Sequence, residues 1–193
     1  MDIANKRKQQ IIHTAVKLFA RHGLGKTTLD EIAREIRIGK ATIYHYFESK
    51  DELFFASLKW EADQFIEDIK AIFNNERLAV GVRILEYLSY KENVDKHYKL
   101  LSDLLIRLIE NDSFDKEKDI LKDLLIREEE IVKLVLNSIY SSRLEGMNES
   151  LPNYIVISSW GAFFGNKINH ISNPDRVLST RDFMFKSLEN ILS

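Results

Sequence analysis

Apolar residues recur at intervals of three and four along nearly the whole chain, and nowhere do they alternate over the length of a strand. Ile11/Ile12, Ala15/Val16 and Phe19 mark one stripe, and Leu100/Leu101, Leu104/Leu105 and Leu108 a second. Leu121, Leu124/Leu125, Ile131/Val132 and Val135/Leu136 mark a third. That period gathers the apolar side chains on one face of a helix. Proline, which breaks a helix from within, stands only at 152 and 174, and both positions read as helix starts. Asn173-Pro174-Asp175 offers an N-cap, a proline at the first helical position and an acid in the first turn. The pattern predicts an all-α chain.

The first fifty residues are punctuated more finely than the rest. A helix from about Lys6 to His22 stops at Gly23, a residue suited to a helix C-terminus. Thr28-Leu29-Asp30-Glu31 reads as a capping box, in which hydroxyl and carboxylate satisfy each other's backbone donors, and opens a helix ending near Ile36. After Arg37-Ile38-Gly39 a brief helix runs from Lys40 to about Phe47, and Ser49-Lys50-Asp51-Glu52 is a second capping box that opens a long helix toward Phe73. Two short helices across a three-residue break make a helix-turn-helix pattern. Ile32, Ala33, Ile36, Ile38, Ile43 and Phe47 are its expected inner faces, and Ile12, Ala15, Val16 and Phe19 of the first helix form the third wall. Such a unit need not bind DNA, and periodicity alone leaves that open.

The other face of the short helix is unusual. Lys40, Ala41, Thr42, Tyr44 and His45 fall within six residues. The second helix of a helix-turn-helix presents its N-terminal residues to the major groove while its partner crosses the backbone. There Lys40 could donate to guanine O6 and N7, Thr42 could bond a base or rest its methyl on thymine, and Ala41 allows close approach. Tyr44 and His45 suit a phosphate or a base edge, while Tyr46 is expected to pack toward the body. Thr27 and Thr28 stand at a helix start, where hydroxyls and free N–H groups can hold a phosphate, and Lys50 is placed to do so from the next helix.

Charge follows the same division. The first fifty residues hold ten Lys/Arg against five Asp/Glu, and the remainder holds eighteen against twenty-five. A basic head on an acidic body points to an anionic partner for the head. With no cysteine, the chain has no disulfide, thiolate zinc site or cysteine nucleophile. No apolar run reaches bilayer-spanning length and the N-terminus lacks a signal-peptide core, so the expected address is the cytoplasm, with no membrane partner.

Enzyme readings find little purchase. Ala20–Thr27, ARHGLGKT, approaches a phosphate-binding loop, but the first glycine is missing and the preceding segment is helical. No histidine has a glutamate three residues before it, as di-iron bundles require. The run Glu128–Glu130 reads as a solvated face. No catalytic residue, metal or cofactor is expected.

The run TTLDEIAREIRIGKATIYHYFESKDEL, Thr27 to Leu53, preceded by IIHTAVKLFARHGL, resembles the DNA-binding domain of the tetracycline-repressor (TetR) family of bacterial transcription regulators. The resemblance covers about residues 6–55. It implies a DNA-binding domain over 1–52 and a helical ligand-binding and dimerisation domain over 53–193, joined by the long helix. It also implies a homodimer on a palindromic double-stranded operator, most often a repressor released by a small molecule. Thr27, Thr28, Lys40, Ala41, Thr42, Tyr44, His45 and Lys50 fall on its DNA-contacting positions. Three positions depart from the family: Ile36 stands where alanine is usual, Arg37 where glycine is, and Gly39 where serine often is. A turn that favours glycine puts Arg37 under strain of about 1 kcal/mol, and its charge is expected to add a phosphate contact. A TetR-like activator would share the same head, and so would a helical protein whose basic head binds an acidic protein partner.

The body predicts helices near 49–74, 77–90, 93–110, 116–145, 151–171 and 174–192. By the resemblance, the last two form a dimer bundle, with Ile155, Ser159, Ala162, Phe163, Phe183, Leu188 and Ile191 at the interface. Trp60, Tyr87, Tyr98, Trp160 and Phe164 are aromatic candidates for a pocket holding an apolar or amphipathic small molecule.

Overall fold

The computed structural model describes residues 3–109, 113–140, 150–172 and 184–187, and among these there is no strand. Helices α1 (Ile3–Lys26), α2 (Leu29–Glu35), α3 (Lys40–Tyr46) and α4 (Lys50–Phe73) follow one another closely. They are succeeded by α5 (Val80–Glu92), α6 (Val94–His97), α7 (Lys99–Ile109), α8 (Asp115–Tyr140) and α9 (Ser150–Ser172). The chain forms two compact units, one of Met1–Gln64 with Tyr98–Leu121, the other of Phe65–His97 with Lys122–Ser193.

In the first unit the sequence signals act where they stand. Gly23, with φ at +76°, breaks the regular path of α1 at the expected glycine. Thr28 and Glu31 close the capping box, with Glu31 N–H donating to the Thr28 hydroxyl at 3.2 Å and Thr28 N–H to the Glu31 carboxylate at 2.8 Å. At Ser49 the box is half formed. The Ser49 hydroxyl accepts from Glu52 N–H at 3.0 Å, but the Glu52 carboxylate takes the N–H of Glu48, one residue upstream.

Ile11, Ile12, Ala15 and Phe19 of α1, Ile32 and Ala33 of α2, and Ile43 with Phe47 at the end of α3 are buried. Val16, Ile36 and Ile38, expected inside, are only half-buried. The Lys8 ammonium lies 5.3 Å from the Phe47 ring centroid.

The expected helix over 93–110 is two helices, α6 and α7, broken at Tyr98. Its cause is tertiary. Glu61, on α4 and 3% exposed, accepts from Leu101 N–H at 3.0 Å and so caps the start of α7 with a side chain forty residues away. Burial pushes the Glu61 carboxyl up to about 7, aided by Asp103 and opposed by the N–H groups of Leu101 and Leu100.

The folded chain therefore holds this proton more tightly than the unfolded chain does. The stability Glu61 contributes is full below about 4.5 and lost as pH rises through about 7, a change of roughly 3 kcal/mol. Urea denaturation across that window should show the decline in the native chain and a flatter profile in Glu61→Gln. Identical profiles would assign the titration to another group.

Candidate nucleic-acid interface

A seven-residue helix such as α3 is too short to persist in water unaided. Ile43 at 0% exposure and Phe47 at 2% hold it from behind. With those two facing inward, the helical period turns Lys40, Ala41, Tyr44 and His45 outward, all exposed, with Thr42 half-buried beside them. His45 meets Tyr46 edge to face, 5.2 Å between centroids, and Tyr46 is half-buried, as a packing residue should be. One short helix thus presents one cation, two hydroxyls and an imidazole on a single solvent-facing side.

The flanking candidates are placed less uniformly. Thr28 is exposed at the N-terminus of α2, but its hydroxyl and N–H are engaged by Glu31. Those bonds, backbone first, also hold the Glu31 carboxyl below its ordinary value. A phosphate at this helix start has to share it with that carboxylate.

Thr27 is a correction. It is fully buried and its hydroxyl donates to the carbonyls of Gly23 at 2.9 Å and Leu18 at 3.2 Å, so its side chain closes the turn after α1 and offers nothing to a partner. Lys50 is half-buried, and its ammonium donates to the carbonyls of Leu24 at 2.7 Å and Thr27 at 3.2 Å. It fastens α4 to that same turn. Lys40 is exposed yet paired, its Nζ 2.7 Å from Asp30 Oδ2 on α2, and that acid raises its pKa. Arg37 is exposed and has φ at +55°, a backbone conformation that favours glycine.

The pocket candidates divide between the units. Trp60, whose ring meets His13 at 4.7 Å, and buried Tyr98 belong to the first; Tyr87, Trp160 and Phe164 belong to the second. In the second unit Tyr87 and Trp160 surround a feature the sequence reading missed. Glu128 is fully buried, not solvated. Its carboxylate accepts from Lys91 Nζ at 2.6 Å, the Tyr87 hydroxyl at 2.7 Å and the Trp160 indole at 2.9 Å.

Lys91, equally buried, lies 4.0 Å from the Trp160 ring centroid. Burial pushes its amine down to about 8, with Glu128 pulling the other way, and burial drives the Tyr87 hydroxyl well up. The signal was present in the spacing: Leu124, Glu128, Val132 and Leu136, four apart, form one buried stripe of α8. A separate open cleft of about 480 Å³ in this unit is bordered by Tyr90, His97, Glu86 and Lys96, and none of the five aromatic candidates lines it.

The expected interface residues require a second correction. Ile155, Ser159, Ala162 and Phe163 are all buried within the single chain, and the Ser159 hydroxyl lies 3.3 Å from that of Tyr87 on α5. The outward side of α9 carries Tyr154, Ile157 and Gly161, all exposed. Phe183, Leu188 and Ile191, and the helix expected over 174–192 except for 184–187, lie outside the described residues.

Residues 11–57 match the family described as bacterial regulatory proteins, tetR family. Among characterised proteins, the HTH-type transcriptional regulator HbdR of Aromatoleum sp. (strain CIB) is 39% identical over 67 residues, which are 35% of this chain and 29% of that protein. IcaR, the HTH-type negative transcriptional regulator of the icaADBC biofilm operon in Staphylococcus aureus (strain Newman), is 42% identical over 52 residues, 27% of this chain and 28% of IcaR. The chain thus matches less than a third of the length of either relative. Likeness in fold extends much further. The structure of the transcriptional regulator FadR from Bacillus subtilis, in complex with stearoyl-CoA, covers 96% of this chain and 97% of its own at a TM-score of 0.62 and 19% identity.

Replacing Arg37 with glycine relieves the left-handed strain. Arg37→Gly should raise stability by about 1 kcal/mol in urea denaturation. It should also weaken binding to duplexes of any sequence alike, since a phosphate contact carries no sequence information. Unchanged duplex affinity would limit Arg37 to a strained turn residue.

Proposed function

We propose, from the match of residues 11–57 to the tetR family of bacterial regulatory proteins, that the chain is a homodimeric, cytoplasmic repressor of transcription of that family. In this reading residues 1–52 bind a palindromic operator in double-stranded DNA, and residues 53–193 bind an effector and the second copy. It is a regulator and not an enzyme. The observation that carries the reading is the division of α3 into a buried back, Ile43 with Phe47 behind it, and an exposed polar front of Lys40, Ala41, Tyr44 and His45. Thr42, Thr28 and Arg37 extend that front, and Lys50 supports it through the turn after α1.

Dimerisation is assigned to the outward side of α9. Between Leu151 and Phe164 that helix is mostly apolar, and exposed apolar residues on such a helix call for cover. One side is covered within the chain, whereas Tyr154 is 58% and Ile157 50% exposed. A second copy seated there supplies the cover.

The effector is taken as an apolar or amphipathic small molecule, in keeping with the aromatic content of the second unit around Tyr87, Trp160 and Phe164 and with the acyl-CoA bound by FadR. Release is a linkage effect. A ligand that prefers a conformation in which the two heads do not match the operator must weaken DNA binding, and DNA weakens the ligand by the same factor. Two α3 helices reading one face of a duplex need a separation of about 34 Å or a multiple of it.

Fluorescence anisotropy with a duplex selected from a random pool tests this directly. The native protein should bind tightly and lose affinity steeply with salt, and Lys40→Ala/Tyr44→Ala should lose most of that affinity while keeping its helical circular dichroism. Sedimentation of Ile157→Asp should show one-chain mass where the native protein shows two. Salt-insensitive binding, or full affinity in the double variant, would contradict the assignment.

A further inference from the structure

Lys40 opens α3 and is the cation on that front, but it does not stand alone. Its Nζ is 2.7 Å from Asp30 Oδ2, and the two side chains are 44% and 55% exposed. The contact crosses from the first turn of α2 to the first turn of α3, the two helix starts that approach a duplex together in this kind of unit.

The neighbouring acid does not share this role, because the Glu31 carboxylate is folded back onto Thr28 in the capping box. Asp30 makes no cap and supports no buried group. An exposed pair of this kind adds little to folding. Its effect falls on binding, where a carboxylate is set among the groups that face a polyanion.

Resting on the DNA-binding reading above, we propose that Asp30 is a specificity-determining residue that withholds Lys40 from phosphates and yields it to a base edge. On DNA of arbitrary sequence, affinity comes from cations that neutralise phosphates and release counterions. Lys40 paired with Asp30 is already neutralised. Moving it to a phosphate exchanges one oxyanion partner for another and leaves the Asp30 carboxylate facing the backbone. On the operator, α3 seats in the major groove, where the O6 and N7 acceptors of a guanine receive the ammonium together. Those acceptors carry no formal charge and do not repel the Asp30 carboxylate, so the ammonium can donate two protons to them and keep its third on Asp30. They exist only at the right base pair. Discounting the contact available everywhere widens the gap between right and wrong sequences without adding any attraction to the right one.

Asp30→Asn tests this by keeping the side chain's shape and removing its charge. The probes are a random-sequence duplex pool and the tightest binder that the native protein selects from that pool, each titrated by anisotropy across a range of salt. Asp123→Asn is the control. It removes an equal charge from another exposed pair, Asp123 with Arg127 at 3.1 Å on α8.

The native protein and the control should show the same preference for the selected duplex. Asp30→Asn should bind the pool roughly tenfold more tightly, with a salt slope steeper by about one, and gain less on the selected duplex, so that its preference falls. Equal gains on both duplexes, no gain on either, or a loss confined to the selected duplex would each overturn the role assigned to Asp30. If the native protein binds neither duplex in a salt-sensitive way, the DNA-binding reading itself fails, and this inference fails with it.

Discussion

Seven residues of helix cannot hold themselves, and the first unit is organised around that fact. α3 has no side-chain cap at its N-terminus, only the Thr42 N–H bonded to the Gly39 carbonyl at 2.9 Å. Ile43 and Phe47 supply what hydrogen bonding inside so short a helix cannot. Around them, α2 is set by its capping box, the turn after α1 is closed by buried Thr27, and Lys50 ties the first residue of α4 to the same turn. Burying a helix by two residues leaves the rest of its surface free of folding duty. That freedom lets Lys40, Thr42, Tyr44 and His45 be chosen for a partner.

The second unit obeys a different constraint. Lys91 and Glu128 are both at 0% exposure, and a charge taken out of water costs several kcal/mol unless paired and hydrogen-bonded. Here the pairing is thorough, with Tyr87, Trp160 and the Val156 carbonyl joining the two charges, so that α5, α8 and α9 are tied by polar groups within an apolar core. Such a network tolerates little displacement, because moving any one helix strands a buried charge. It fixes the inward side of α9, and hence which of its residues are left outside.

Local chemistry was legible in the sequence and long-range chemistry was not. Gly23 and the Thr28 capping box lie within a few residues of what they control, and both appear where the spacing puts them. The strained turn at Arg37 was legible for the same reason. What failed depended on residues far apart in the chain. The break at Tyr98 is made by Glu61, and Glu128 is buried because Lys91 waits for it on another helix. Thr27 is the local exception: its place at a helix start suits a phosphate, and only the fold shows its hydroxyl turned onto the nearby carbonyls of Gly23 and Leu18. The sides of α9 were exchanged for a related reason. A helix mostly apolar between Leu151 and Phe164 has no clear period that tells the inward face from the outward one.

In the proposed function, duplex DNA is met by the polar front of α3. Backbone amide resonances followed during titration with the selected duplex test it most directly. The predicted result is that the largest shifts fall on Thr28, Arg37 and residues 40–45, with smaller ones at the turn held by Lys50. Shifts concentrated elsewhere in the chain, with α3 unmoved while the duplex is bound, would contradict it.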